Sequence, residues 1–235
     1  MAGKPVSPDC QNCTCKPNIL FKEMTDEDIA VLSMNKTCRR YKKGQNLFFE
    51  GQHPSGLYCI HQGKIKLYKT SYEGREQIVR LCKAGEVLGY RALISDKPYA
   101  ASASTLEESL VCQIPREEFF KQIEKNPKVA LNLIRTLSQE LRNAEDRMMN
   151  LAQKSVRERL AETLIILKET YGLDEDSALS ITLSREDLAN IVGTATETVI
   201  RLLAEFKKED LIDTKGKRIK LKDEKGLLRA GNVVD

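Results

Sequence analysis

The chain has 235 residues, of which 41% are hydrophobic, which is enough for one to two domains with apolar cores. Charged residues make up 31% of the chain and the net charge is +4, and neither a signal-like start nor an apolar run of membrane-spanning length is present. We therefore expect a soluble cytoplasmic protein with no membrane partner. Most of its seven cysteines should then be thiols or ligands rather than structural disulfides.

Three cysteines, Cys10, Cys13 and Cys15, lie in a segment at residues 1–18 that we expect to be a flexible tail. Thiolates at C-x-x-C spacing can hold two corners of one iron–sulfur cluster. Cys15 follows after a C-x-C step, a spacing at which a separate iron is harder to reach.

Between Ile19 and Glu124, short segments rich in Val, Ile, Tyr and Phe alternate with glycines, which predicts a compact antiparallel barrel or roll. We assign this sensor-like domain to residues 19–125, with a helix near Thr25 to Met34. Three cysteines alternate with apolar neighbours and are expected to be small buried hydrophobes. These are Cys38, Cys59 and Cys82.

Asn126-Pro127 begins a long stretch without glycine, and we assign residues 126–152 to a dimerisation helix. Its apolar positions are spaced alternately three and four residues apart, as in the seam of a parallel two-stranded coiled coil. The alternative is one amphipathic helix packed on its own domain. The seam consists of Ile134, Leu137, Leu141, Ala144, Met148 and Leu151.

Residues 153–235 form the last predicted domain, which opens with a helix from Val156 to Tyr171 and continues with a helix-turn-helix. Ser184 can cap the first of the paired helices, with Asp187 as its capping-box partner, and Gly193 ends that helix. A second capping box, formed by Thr194 and Glu197, would open the next helix. The face that this helix turns to a core consists of Val199, Leu202, Leu203 and Phe206.

The opposite face of the second helix carries side chains suited to the major groove of DNA. Arg201 can fork onto guanine, Glu197 can accept from the cytosine amino group, and Ile200 can touch a thymine methyl. The alternative is that Glu197 only closes the capping box and that Arg201 is an ordinary solvated residue. The predicted DNA-contacting residues are Ser184, Arg185, Thr194, Thr196, Glu197, Thr198, Ile200, Arg201, Lys215, Lys217 and Arg218.

After this helix, residues 211–222 alternate apolar and polar around a Lys-Gly turn, which predicts a β-hairpin. Between Lys215 and Lys222 there are five cationic residues and no acidic one. Such a hairpin can lie along a phosphate backbone as a wing. The alternative is an edge strand that lysines keep soluble.

The segment from Leu183 to Leu221 resembles the winged helix-turn-helix of the Crp/Fnr family of bacterial transcription regulators, Fnr-like branch. Residues 43–48, 56–66 and 84–89 resemble the sensor domain of that family in order and spacing. The resemblance implies an α+β fold: an antiparallel β-roll of cyclic-nucleotide-binding type, a dimerisation helix and a C-terminal winged helix-turn-helix. It also implies a homodimer on a palindromic double-stranded DNA operator, with RNA polymerase as a partner.

In cyclic-nucleotide-binding members of this family, the loop after a Gly-Glu pair supplies a carboxylate for the ribose and an Arg-Ser pair for the phosphate. Here Tyr90 stands in place of the carboxylate, and Ala100 and Ala101 stand in place of the Arg-Ser pair. Without an arginine the desolvated phosphate lacks its partner, so cyclic AMP is not expected to bind. The degenerate loop remains a candidate effector site formed by Gly89, Tyr90, Arg91, Ala100 and Ala101.

Cys10, Cys13 and Cys112 resemble three of the four ligands by which Fnr-type oxygen sensors hold a [4Fe–4S] cluster. Ile19 stands where those sensors have the remaining ligand, and this chain offers Cys15 instead. The resemblance therefore implies a cluster on Cys10, Cys13, Cys15 and Cys112. Ala144 stands near a seam position where those sensors carry an acidic residue, so we expect pairing without a ligand.

The sequence thus predicts a homodimeric, sequence-specific DNA-binding regulator that is controlled by redox or oxygen. Its input is a [4Fe–4S] cluster, a thiol switch in the same cysteines, or an unidentified effector. The alternative from another class is a β-roll ligand-binding module that acts through protein partners. An enzyme is not expected, since no set of nucleophile, base and orienting residue can be assembled.

Overall fold

A computed structural model describes residues 7–233 of the chain. The chain divides into two compact units between Glu140 and Leu141. Among residues 7–233, no helix is both long enough and apolar enough to cross a bilayer.

The first unit is built around a β-roll of two four-stranded antiparallel sheets. One sheet has the strand order β1-β8-β3-β6 and the other has the order β2-β7-β4-β5. The strands are β1 (Thr37–Tyr41), β2 (Asn46–Phe48), β3 (Gly56–Gln62), β4 (Lys64–Thr70), β5 (Glu76–Lys83), β6 (Val87–Leu88), β7 (Ser102–Thr105) and β8 (Ser109–Pro115). The helices of this unit are α1 (Asp26–Asn35), α2 (Tyr90–Ser95) and α3 (Arg116–Lys125), and a short 3-10 helix covers Cys10–Asn12.

Residues 7–25, before α1, are packed onto the roll and do not form the free tail that the sequence suggested. Residues 1–6 of that predicted tail lie outside the described residues. Leu20 and Phe21 are buried in the core, where their burial removes apolar surface from water. Thr14 Oγ1 donates to the His61 carbonyl at 2.8 Å, and Asn18 Nδ2 donates to the Gly85 carbonyl at 3.0 Å. The N-terminal cysteines are therefore held against the β-roll.

The long helix, α4 (Pro127–Gln153), begins at the proline that the sequence indicated. Val129 and Leu133 are buried near its start. Most of the predicted seam is exposed to solvent in the single chain. Four of its side chains are each more than half exposed: Ile134, Leu141, Met148 and Leu151. An apolar stripe of this kind is the surface that a paired helix covers.

The second unit consists of α5 (Val156–Tyr171), α6 (Arg185–Val192), α7 (Thr196–Lys208), β9 (Ile212–Lys215), β10 (Arg218–Leu221) and α8 (Glu224–Ala230). The capping box of Ser184 and Asp187 is confirmed. The predicted box of Thr194 and Glu197 is wrong, because α7 starts after Ala195 without a side-chain cap. Thr194 belongs to the turn that closes α6, since its backbone N–H donates to the Ala189 carbonyl.

Candidate nucleic-acid interface and cysteine-lined cavity

Helices α6 and α7 are joined by a tight turn at Gly193, whose φ of 74° is readily adopted only by glycine. Helix α7 buries its predicted core face completely and leaves its other face open. Glu197, Ile200 and Arg201 are exposed on that open face, with Thr196 and Thr198 half-buried beside them. The structure thus brings the predicted base-reading side chains onto one helix face.

The Arg201 guanidinium is bound along its own helix. Its Nη1 lies 2.5 Å from Oε1 of Glu205, one turn further on. The arginine side chain remains 64% exposed, and an exposed pair of this kind contributes only about 0.2–1 kcal/mol. A guanine edge can therefore compete for the same guanidinium.

Arg185 links the helix-turn-helix to the hairpin. Its Nη2 donates to the Gly216 carbonyl at 2.9 Å, at the turn between β9 and β10. Burial lowers the pKa of Arg185. Arg185, which is a predicted DNA contact, therefore also fixes the position of the hairpin turn.

The β9–β10 hairpin has the predicted extent, with Lys215 opposite Arg218 across a two-residue turn. Its cations differ in their surroundings. Arg218 is bound by Asp174 at 2.5 Å and by Asp176 at 2.9 Å, and Lys222 is bound by Asp210. Among residues 7–233, no carboxylate lies within salt-bridge distance of Lys215, Lys217 or Lys220. These three lysines form the cationic surface of the hairpin that is predicted to lie along a phosphate backbone.

A second feature is a small cavity, about 30 Å³ in volume, between the N-terminal segment and the β-roll. Five cysteines line it, together with the cationic side chains of Lys16 and Lys36. The five are Cys10, Cys13, Cys15, Cys59 and Cys112. The cavity thus brings together all four predicted ligands and Cys59, which the sequence had predicted to be a buried hydrophobic residue.

Polar contacts position the N-terminal sulfurs. Lys36 Nζ donates to Cys10 Sγ at 2.9 Å, and Cys13 Sγ lies 3.3 Å from Nδ1 of His61. The buried Cys15 thiol donates to the Ile60 carbonyl at 3.2 Å. The Cys10 sulfur is therefore held by the residue that follows α1, and the sulfurs of Cys13 and Cys15 are held by β3.

Two of these thiols are protonated at neutral pH. The hydrogen bond with Cys15, together with burial, raises the pKa of Cys13 to about 12. The hydrogen bond with Cys13 lowers the pKa of Cys15, but the contact with Cys59 and burial outweigh it and raise that pKa to about 12. Ligation of a metal by these thiols therefore requires proton release.

Cys112 forms a disulfide with Cys38, which corrects the expectation that Cys38 is a buried thiol. The two residues are direct partners in the β1–β8 ladder, with Cα atoms 3.9 Å apart. A local sequence pattern could not reveal the pair, because 74 residues separate the cysteines and only strand register brings them together. Cys59 and Cys82, for which the same burial was predicted, are buried free thiols.

In the degenerate nucleotide loop, Tyr90 points into the first unit. It is 2% exposed, and its hydroxyl donates to Glu140 of α4, which Arg80 also contacts. Arg80 Nη2 binds Glu86 at 2.9 Å. Burial raises the pKa of Tyr90, so its hydroxyl stays protonated as a donor.

The other loop residues lie nearer to solvent. Arg91 and Ala100 are exposed, Gly89 and Ala101 are half-buried, and Lys69 Nζ donates to the Ala100 carbonyl at 2.7 Å. The five predicted loop residues are therefore divided between the interior and the surface.

Comparisons with known proteins decide the family. A model described as a cyclic nucleotide-binding domain matches residues 38–126, and one described as a Crp-like helix-turn-helix domain matches residues 158–230. The fumarate and nitrate reduction regulatory protein of Yersinia pestis is 32% identical over 230 residues, which cover 95% of this chain and 90% of that protein. The chain belongs to the Crp/Fnr family of bacterial transcription regulators.

Two further proteins are similar to this chain over most of its length. The transcriptional activator protein anr of Pseudomonas aeruginosa is 30% identical over 217 residues, 91% of this chain and 88% of that protein. The structure of FixK2 from Bradyrhizobium japonicum matches with a TM-score of 0.76 and 25% identity, over 85% of this chain and 99% of that chain. The predicted α+β fold and the prediction of a DNA-binding transcription regulator are confirmed.

As a Crp/Fnr regulator of the Fnr-like branch, this chain can be tested for a fit to an iron–sulfur cluster. Among the described residues, no group of three or more His, Cys, Asp or Glu side chains is placed to hold a single metal ion. A four-iron cluster needs its thiolates farther apart than one tetrahedral ion does. Several free thiols around one cavity, with two lysines to offset their charge, fit the donor chemistry of a cluster.

Proposed function

We propose that this Crp/Fnr regulator is a homodimer whose DNA binding is controlled by redox state or oxygen through a [4Fe–4S] cluster. The observation that carries the proposal is the cavity lined by cysteines from both the N-terminal segment and the β-roll. The sequence expectation for the ligands is Cys10, Cys13, Cys15 and Cys112. Of these, Cys112 is a thiolate donor only when its bond to Cys38 is open.

Dimerisation is supported by the apolar stripe on α4. Burial of an aliphatic side chain stabilises by about 1.5–3 kcal/mol, and the exposed Ile134, Leu141 and Leu151 gain this only against a partner. A twofold axis along the paired helices would present two copies of α7 to half-sites about one helical turn apart. The proposed partners are therefore a palindromic operator in the cytoplasm and the RNA polymerase that transcribes from it.

When bound, the cluster supplies an oxidation-sensitive centre. The side chains of this chain would bind and orient it. Cysteine thiols lose their protons on ligation, and Lys16 and Lys36 offset the resulting negative charge. The present cavity has about the volume of one water molecule, so loading requires the segment that carries Cys10 to Cys15 to move outward.

The test is purification without oxygen, followed by iron and sulfide analysis, an absorption spectrum and DNA binding before and after exposure to air. We expect a brown protein whose iron depends on Cys13 and whose affinity for its operator changes in air. A colourless protein whose DNA binding responds to peroxide would instead identify a thiol switch. Absence of both responses would contradict redox control and direct attention to the loop around Tyr90.

A further inference from the structure

We propose that Arg157, at the start of α5, is a positioning residue that determines how readily Arg201 leaves Glu205 for a base. This inference depends on the predicted reading of DNA by Arg201 and not on the proposed cluster. The two arginines share one carboxylate. Glu205 Oε1 lies 2.5 Å from Arg201 Nη1, and Glu205 Oε2 lies 3.5 Å from Arg157 Nη1.

The first argument is that Arg157 is held in place more firmly than Arg201. Arg157 Nη2 lies 2.6 Å from Oε2 of Glu209, and the guanidinium carbon lies 4.6 Å from the centre of the buried Phe206 ring. Two carboxylates and one aromatic face therefore hold Arg157 against the end of α7. Its side chain is 33% exposed, against 64% for Arg201. Of the two arginines on Glu205, Arg201 is thus the one that can leave.

The second argument is the charge that Arg201 leaves behind. If Arg201 moves to a guanine, Glu205 stays on a helix that the phosphates of the groove would flank. A carboxylate without a cation would repel those phosphates, but Arg157 stays on Oε2 of Glu205 and offsets its charge. Two guanidinium groups on one carboxylate also repel each other, which loosens the hold on Arg201. Arg157 therefore makes the transfer of Arg201 to a base easier.

The third argument is the placement of these charges in their helices. Arg157 is the second residue of α5, and Glu205 lies in the last turn of α7. A cation in a first turn and a carboxylate in a last turn are each disfavoured by the helix dipole. Contact between the two side chains offsets both penalties, so each depends on the other. We therefore expect the influence of Arg157 on Arg201 to pass through Glu205.

The experiment measures binding of full-length variants, prepared without oxygen, to two duplexes by fluorescence anisotropy. One duplex is selected by the wild type from a randomised library, and the other is a random duplex of equal length. We expect Arg157→Gln to lower the ratio of specific to random affinity about twofold to fivefold, the range that an exposed ion pair can supply. Arg157→Lys keeps the cation and should restore most of the ratio. Lys208→Gln, at an exposed lysine of α7, is the charge control and should leave it unchanged.

A double-mutant cycle separates this role from a merely structural one. In the Glu205→Gln background no carboxylate remains for the two arginines to share, so adding Arg157→Gln should not change the ratio. An equal fall in both backgrounds would overturn the proposal. So would an unchanged ratio when Arg157→Gln is made in the wild type.

Arg201→Ala tests the premise separately. If it leaves the ratio unchanged, Arg201 does not read a base and the proposal fails with that prediction. If it lowers the ratio while Arg157→Gln does not, only the role of Arg157 is refuted. Neither result bears on the proposed cluster.

Thermal unfolding shows whether Arg157→Gln folds. If it does not fold, Glu209→Gln decides instead, because Glu209 is exposed and its change leaves the charge of Arg157 wholly to Glu205. The ratio should then rise, since Arg201 is held less tightly. An unchanged or lower ratio in Glu209→Gln would refute the proposal.

Discussion

The ammonium nitrogen of Lys36 lies 2.9 Å from the sulfur of Cys10 and also donates to the hydroxyl of Ser33 at 3.2 Å. Lys36 is the residue that ends α1, so the helix fixes one end of its side chain. Coulomb attraction between a cation and a thiolate is strong where water is partly excluded. The end of α1 therefore fixes the position of the positive charge of Lys36 beside the cavity.

Replacement of Lys36 by Gln should weaken retention of a cluster, because it removes a positive charge beside a ligand sulfur. We expect less iron per chain after anaerobic purification, and faster bleaching of the absorption spectrum in air. Lys36→Arg keeps the charge and should behave more like wild type, and Lys43→Gln is the control at an exposed lysine outside the cavity. Equal iron loss from Lys43→Gln would assign the effect to net charge alone.

Alkylation of the iron-free protein should report the raised pKa of Cys13 and Cys15. Since alkylation requires the thiolate, a pKa of about 12 against an ordinary 9.0 predicts reaction about a thousandfold slower than in the unfolded chain at pH 8. Folding favours the protonated thiol, so its contribution to stability is complete below pH 9 and is lost toward pH 12. Mass spectrometry after iodoacetamide treatment, with urea-unfolded protein as reference, measures the rates. Equal rates in both states would contradict the buried, hydrogen-bonded placement.

Arg201→Ala should reduce affinity for the preferred palindrome by about 1–3 kcal/mol and relax the choice of base at one position per half-site. Lys217→Ala should weaken binding to all sequences and make its salt dependence shallower. Fluorescence anisotropy on specific and random duplexes at several salt concentrations separates the two effects. Equal loss on both duplexes for Arg201→Ala would remove this arginine from base reading.

Glu205→Gln provides the matched variant for Arg201. It removes the carboxylate 2.5 Å from the guanidinium and leaves the arginine in place. We expect specific affinity to be kept or modestly increased. A loss as large as that of Arg201→Ala would mean that the salt bridges of Glu205, with Arg201 and with Arg157, position the reading helix.

Ala144→Asp should shift the protein toward monomer at low salt, because it places two like charges opposite each other in the proposed seam. Sedimentation velocity at two salt concentrations measures the shift. Asn143→Asp adds the same charge one residue away, at an exposed position outside the seam, and should have little effect. A monomeric wild type, or equal effects of both variants, would contradict pairing along this face.

Tyr90→Phe should lower the free energy of unfolding by about 1–3 kcal/mol, because Glu140 loses a hydrogen-bond donor in a buried setting. Tyr72→Phe removes a hydroxyl from a fully exposed tyrosine and serves as the control. Urea unfolding monitored by circular dichroism measures both. An unchanged midpoint for Tyr90→Phe would show that Arg80 alone satisfies the carboxylate.

Local signals predicted local structure well in this chain. Ser184 with Asp187 determined the start of α6, and alternation around Gly216 determined the hairpin. Thr194 failed as a cap although its pattern was similar, because its N–H already closed the preceding helix. The pairing of Cys38 with Cys112 depends on the strand register between distant segments, so a pattern within one segment cannot predict it.

The packed N-terminal segment also has a consequence for the order in which the protein is made. Cys10, Cys13 and Cys15 leave the ribosome first, but the strands that carry Cys59 and Cys112 are synthesised later. Domains fold as units once their chain is available, so the cavity closes only after β8 has joined β3. Capture of the proposed cluster on these cysteines would then be a late event of biogenesis, and a nascent chain stalled before β8 would expose its three thiols without the sheet that collects them.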